Sequence, residues 1–110
     1  MKITQEAYDK VMVLTISGRL DTLNFPLLDN AITDLLSKDQ KYIILDCMEM
    51  DYVSSSGLRV LLKALKQVKE NKGRFVICSL QAEIVKIFKI SGFNNLFEIY
   101  PGKTEALSAF

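Results

Sequence analysis

Three consecutive serines and a glycine, Ser54-Ser55-Ser56-Gly57, stand between an apolar strand-like segment and a long run with helical spacing. A helix start leaves several backbone N–H groups without intrahelical partners, so hydroxyls there cap the helix and negative charge is electrostatically favoured. One serine suffices for a cap. Three in a row, with a glycine that leaves space around them, exceed that need, and a serine hydroxyl at such a turn is a natural site for reversible phosphorylation. Ordinary capping, which contributes about 1 kcal/mol, remains the alternative reading of the same residues.

The other residues able to do chemistry are few. The chain has no histidine, which removes Ser-His-Asp and Cys-His nucleophilic sites and most zinc sites. Cys47 and Cys78 lie in apolar strand-like segments and read as buried reduced thiols of a cytoplasmic protein. Asp21, Asp46 and Asp51 could surround the serine turn, with loop and cap chemistry the favoured reading for Asp46 and Asp51. A metal site built from these aspartates would have no recognisable ligand spacing. Neither G-x-x-x-x-G-K nor G-x-G-x-x-G occurs, so no phosphate-cradling loop is written in the chain.

Charge is unevenly spread. The net charge is +1, yet residues 1–58 carry five Lys/Arg against nine Asp/Glu and residues 59–110 carry nine against four. Part of the positive excess falls on one helical face, where Arg59, Lys63 and Lys66 recur at i, i+4, i+7. Such a face is ordinarily solvated, and it could alternatively dock an acidic partner surface. A general nucleic-acid binder would show a stronger basic bias.

The elements that position these residues follow from periodicity. With 110 residues, 49% hydrophobic and 25% charged, the chain is expected to be a single domain, 1–110, with one core and no need of staples. Its apolar runs are too short to span a membrane, and the N-terminus shows no export signal. Ile3 to Tyr8 and Val11 to Ser17 read as strands joined by a tight Asp9-Lys10 turn, followed by a loop from Gly18 to Thr22. Leu28, Ala31, Ile32, Leu35 and Leu36 predict a helix, with Asn24 as its cap and Pro26 in its first turn. Tyr42 to Cys47 is a strand, Met48 to Val53 a loop, and Ser56 to Lys72 a helix with Leu58, Leu61, Leu62, Leu65 and Val68 along one stripe. Arg74 to Ser79 and Phe97 to Tyr100 are strands, Gln81 to Ser91 and Lys103 to Phe110 helices. The order β-β-α-β-α-β-α-β-α implies an α/β fold with a mixed, mainly parallel sheet, opened by a hairpin and covered by about four helices. Asp21 and the serine turn both follow strands, so both belong at the sheet's C-terminal end, where function gathers in such folds.

With these residues in register, the chain resembles the anti-sigma factor antagonist family, the STAS domain, over essentially its whole length. The resemblance is carried by the opening hairpin, Gly18-x-Leu20-Asp21, Tyr42-Ile43-Ile44-Leu45-Asp46, Val53-Ser54-Ser55-Ser56-Gly57-Leu58 and Ile87-Phe88-x-x-Ser91-Gly92. Regulatory members carry Asp-Ser-Ser/Thr-Gly-Leu at the serine turn, and the first serine after the aspartate is the phosphoacceptor. That serine corresponds to Ser55. Asp21 matches the loop aspartate implicated in binding the partner kinase. Ser54 departs from the pattern, standing where many regulatory members have aspartate.

The resemblance implies partner switching. Unphosphorylated, the domain would bind an anti-sigma factor that is a serine kinase and so free the sigma factor. Phosphorylation of Ser55 would weaken that complex, and a phosphatase would reset it. ATP would belong to the partner, leaving this chain without cofactor or catalysis. The expected partner-binding residues are Asp21, Ser54, Ser55, Ser56, Gly57 and Arg59. The rival within the same family is a non-catalytic accessory subunit of another assembly, such as a lipid ABC transporter. A small enzyme using Asp21 or Asp46 with a serine nucleophile is a further rival, disfavoured by the lack of histidine.

Overall fold

A computed structural model describes all residues from Met1 to Phe110. Asp9 takes a left-handed backbone (φ 56°), a conformation aspartate tolerates, and turns β1 (Lys2–Tyr8) back onto β2 (Val11–Leu20) as an antiparallel pair. Beyond that hairpin, strands and helices alternate: α1 (Phe25–Ser37), β3 (Tyr42–Val53), α2 (Ser55–Glu70), β4 (Arg74–Cys78), α3 (Ala82–Ser91), a short 3-10 turn (Phe93–Asn95), β5 (Glu98–Tyr100) and α4 (Lys103–Ser108). The five strands lie in chain order, β1-β2-β3-β4-β5, and β2 through β5 are parallel. The expected mixed sheet and four helices are both present.

Strand order explains which face is covered. Each crossover from β2 to β5 steps in the same direction across the sheet, and right-handed crossovers then place their helices on the same side. The larger core accordingly gathers Leu28, Ile32 and Leu35 of α1, Val60, Leu61, Ala64, Leu65 and Val68 of α2, and Ile84 and Phe88 of α3 over Leu14, Ile16, Ile43, Leu45, Phe75 and Ile77 of the sheet. On α2 the buried stripe includes Val60 and Ala64, while Leu58 and Leu62 sit only half-buried at its margins. The opposite face is covered by α4 alone, whose Ala106 packs on Val11, Val13, Ile44, Val76 and Cys78. This second, smaller core is why the middle strands are apolar on both sides.

The structure differs from the expected element bounds in two places. Met48 to Val53 is not a loop, because β3 continues through Val53, paired with β2 out to Leu20. Residues 18–20 are likewise strand. β4 covers β3 only as far as Asp46 and β1 covers β2 only as far as Ser17, so Gly18 to Leu20 and Met50 to Val53 continue beyond both as a short two-stranded extension. Gly18, at φ 91°, sits at one of the two register shifts of the β2–β3 pair, where a residue free to adopt positive φ lets β2 follow an extra residue in β3. The serine turn is carried at the tip of this extension.

α4 is tied down by polar contacts at the sheet's edges. Arg74 pairs with Glu98 and donates from Nη1 to the Ala109 carbonyl at 2.5 Å, while Lys103 Nζ lies 3.1 Å from the Tyr8 hydroxyl. The Arg74 guanidinium lowers the Glu98 pKa from its ordinary value. No helix is long and apolar enough to cross a membrane.

Candidate functional site

At the end of β3 the chain enters α2 through residues whose hydroxyls have different fates. Ser54 is the N-cap: its backbone is extended (φ −92°, ψ 175°) and its Oγ accepts the Gly57 amide at 3.1 Å. Its own N–H is held by the Leu20 carbonyl at 2.9 Å, which fixes the turn against the end of β2. Ser56 is half-buried, and its Oγ lies 3.2 Å from Thr22 Oγ1 in the loop before α1. Ser55, the first residue of the helix, is exposed, and its hydroxyl has no hydrogen-bond partner within the protein. The turn thus has one capping serine, one bridging serine and one free serine.

Gly57 is buried behind them, where a Cβ would come within 2.6 Å of the Leu20 carbonyl oxygen and 2.9 Å of Val53 Cγ2. Real Cβ atoms do not approach so closely. The glycine therefore lets α2 start in contact with β2, and it does more than leave space around the serines.

Asp21 lies beside this turn, with its carboxylate engaged on both oxygens. Oδ1 accepts the amides of Leu23 and Asn24, each at 3.1 Å, and Oδ2 is 3.4 Å from Arg19 Nε. Asn24, the cap expected from sequence, makes no side-chain capping bond and instead donates Nδ2 to the Arg19 carbonyl at 3.1 Å. Asp21 supplies the acceptor at the entrance of α1 in its place. The Arg19 guanidinium lies 3.9 Å over the Tyr52 ring, a cation–π contact that joins the loop to β3.

The remaining expected residues fall in different places. Arg59, one turn along α2 from Ser55, is exposed and forms no ion pair, whereas Lys63 is paired with Asp29 of α1 at 3.0 Å. Both basic residues line a shallow groove of about 310 Å³ between α1 and α2, with Phe25, Asp29, Ser56 and Val60. Asp46 is not near the turn. It lies on the α4 side of the sheet between Thr15 and Cys78, 7% exposed, with Oδ1 accepting the Met48 amide. Asp51 is exposed on the distal part of β3. No group of three His, Cys, Asp or Glu side chains is placed to hold a metal ion.

Three large apolar side chains absent from the residues expected at the site, Leu23, Leu27 and Tyr52, are exposed at 87%, 51% and 39% in the segments that lead into α1 and α2. Leu23 did carry a signal, as a large apolar residue in a polar loop outside the helical period.

No carboxylate, amine or thiol hydrogen-bonds the Ser55 hydroxyl, so nothing activates it from within the chain. Both cysteines are free and buried. Burial, with Cys78 and Asp46 nearby, pushes the Cys47 thiol well above its ordinary value, and burial pushes Cys78 up to about 11. Neither is a thiolate near neutral pH.

Comparison with known proteins turns on a family model for the STAS domain, which matches residues 2–106. The chain belongs to the STAS domain, anti-sigma factor antagonist family. It is 31% identical over 110 residues to BtrV of Bordetella bronchiseptica, a candidate anti-sigma factor antagonist, covering all of this chain and 95% of that one. Its fold is similar to an anti-sigma factor antagonist from Mycobacterium paratuberculosis, with a TM-score of 0.88, 23% identity and coverage of 98% and 92%. It is also similar to the Bacillus cell fate determinant SpoIIAA in its phosphorylated form, with a TM-score of 0.76, 18% identity and 98% coverage of each chain. Within this STAS domain, Ser54 does the capping work that aspartate would do at the same place, since serine and aspartate are about equally good N-caps.

Proposed function

We propose that this STAS domain is the switchable antagonist of an anti-sigma factor that is itself a serine kinase, and that its state is written on Ser55. Unphosphorylated, it binds that kinase in the cytoplasm and frees the sigma factor. Transfer of the γ-phosphoryl group from the kinase's ATP to the Ser55 oxygen, with ADP leaving and the hydroxyl proton lost, ends the complex. A phosphatase restores the hydroxyl by hydrolysis. The chain holds no cofactor and performs no catalysis of its own.

The observation that carries this reading is the division of labour among the serines: only Ser55 is both exposed and free of internal hydrogen bonds. The surface around it comprises Asp21, Ser54, Ser56, Gly57 and Arg59, at the tip of the β2–β3 extension and the start of α2. A phosphoserine brings about −1.5 to −2 charge. At the first position of a helix that charge is tolerated or mildly stabilising, so modification leaves the fold standing. The switch then acts at the interface, where an unpaired and desolvated phosphate opposes docking.

Incubation with the cognate kinase and ATP, followed by mass spectrometry of peptides, tests the assignment. One phosphate on Ser55 is expected, and none on the Ser55→Ala variant. Phosphate on another residue overturns the site, and no phosphate at all favours an accessory role without modification.

A further inference from the structure

We propose that Asp21 acts on partner binding as a positioning residue, and that Leu23, the residue it positions, makes the contact by entering an apolar pocket of the anti-sigma factor. The proposal rests on the reading that the surface around Ser55 docks that protein.

The carboxylate of Asp21 is already spent inside the loop. One oxygen accepts two consecutive backbone amides, Leu23 and Asn24, at 3.1 Å each, and the backbone carbonyl of Asp21 accepts Asn24 N at 3.2 Å and Phe25 N at 2.9 Å. The other oxygen faces Arg19, whose guanidinium is stacked on Tyr52. Only 19% of the side chain reaches solvent. A cation arriving from a partner would have to displace Arg19 and would find an oxygen pair already in use.

What this bonding holds out to solvent is Leu23. It is 87% exposed, and Leu27, on the first turn of α1, adds a second apolar side chain at 51%. A single exposed leucine is unremarkable. Here, however, the backbone carrying it is fixed by hydrogen bonds to a charged acceptor, which are stronger than neutral ones. A group held rigidly before docking loses less conformational entropy on binding. The loop is also joined to the serine turn, through Thr22 Oγ1 and Ser56 Oγ at 3.2 Å and through the Ser54 amide on the Leu20 carbonyl. A protein reaching Ser55 therefore meets Leu23 on the same surface. Binding energy concentrates in the few side chains seated in well-packed, desolvated partner pockets, while charges on the exposed rim contribute little.

Substitutions separate positioning from charge. Asp21→Ala removes both the charge and the acceptor. Asp21→Asn removes the charge and keeps an oxygen for the two amides. Leu23→Ala removes the anchor and leaves the turn. Binding to the cognate anti-sigma factor is measured by calorimetry, and exchange of the Leu23 and Asn24 amides by NMR. Asp21→Ala and Leu23→Ala are each expected to weaken binding by at least about tenfold, with Asp21→Asn recovering most of the affinity that alanine loses. The two amides should exchange fast only in Asp21→Ala. If asparagine loses as much affinity as alanine while keeping the amides protected, or if Leu23→Ala binds like the parent, the proposal is overturned and the partner assignment stands. If the parent protein itself does not bind, the partner assignment fails and takes this proposal with it.

Discussion

The Leu20 carbonyl oxygen lies 2.6 Å from the point where a Cβ on residue 57 would sit. The end of β2 and the first turn of α2 are thus in backbone contact, and the serine turn is gripped between them. Gly57→Ala should force that contact apart. Overpacking costs about 1–3 kcal/mol, and against a backbone oxygen, which cannot swing aside, the upper part of that range applies, so the gain of at most about 1 kcal/mol from replacing glycine in a helix leaves a net loss of about 1–2 kcal/mol. A fall in Tm of roughly 4–10 °C is expected, measured by calorimetric scanning; an unchanged Tm would show that the turn yields freely.

Ser54 and its capping bond to the Gly57 amide give a second test. Ser54→Ala should lose about 1 kcal/mol. Ser54→Asp should keep the cap and add a negative charge beside the helix N-terminus, worth a further 0.3–1 kcal/mol or so. Denaturant unfolding should therefore rank the three proteins aspartate at or above serine, and serine above alanine. A destabilised aspartate variant would contradict the capping geometry.

The buried thiols set an alkaline limit. In the unfolded chain a cysteine loses its proton near its ordinary value of 9.0, whereas Cys78 in the fold keeps it up to about 11. Between those values the folded state binds more protons than the unfolded state, so stability declines as pH rises, and it is independent of this group below that window. Cys47 is displaced in the same direction and extends the decline upward. Unfolding free energies measured from pH 8 to pH 11 should fall more steeply for the parent than for a Cys47→Ala, Cys78→Ala double variant. Parallel curves would show that the thiols are not protected.

Much of this fold was legible because its parallel strands are short apolar runs separated by helices with clear spacing. The distal half of β3 was not. Its buried residues are Cys47, Met50 and Val53, a spacing of three rather than two, because register shifts in the β2–β3 pair interrupt the alternation that identifies a strand. Gly18 reads as the start of a loop for the same reason, since it lies in β2 opposite an extra residue of β3, within the strand pair. The serine turn was visible as a motif, but the distinct fates of its hydroxyls were not. Those depend on Leu20 and Thr22, more than thirty residues earlier in the chain and adjacent only in the fold.

If one exposed hydroxyl decides partner affinity without disturbing the core, as proposed for Ser55, affinity and melting temperature respond differently to its phosphorylation in one and the same preparation. Protein phosphorylated on Ser55 and its unmodified form are titrated into the cognate anti-sigma factor by calorimetry, and each is melted alone. Phosphorylation is expected to weaken binding by about a hundredfold or more, which corresponds to ~2.7 kcal/mol, while the two melting temperatures stay within a few degrees. Equal affinities for the two forms, or a collapse in melting temperature on phosphorylation, would contradict that proposal.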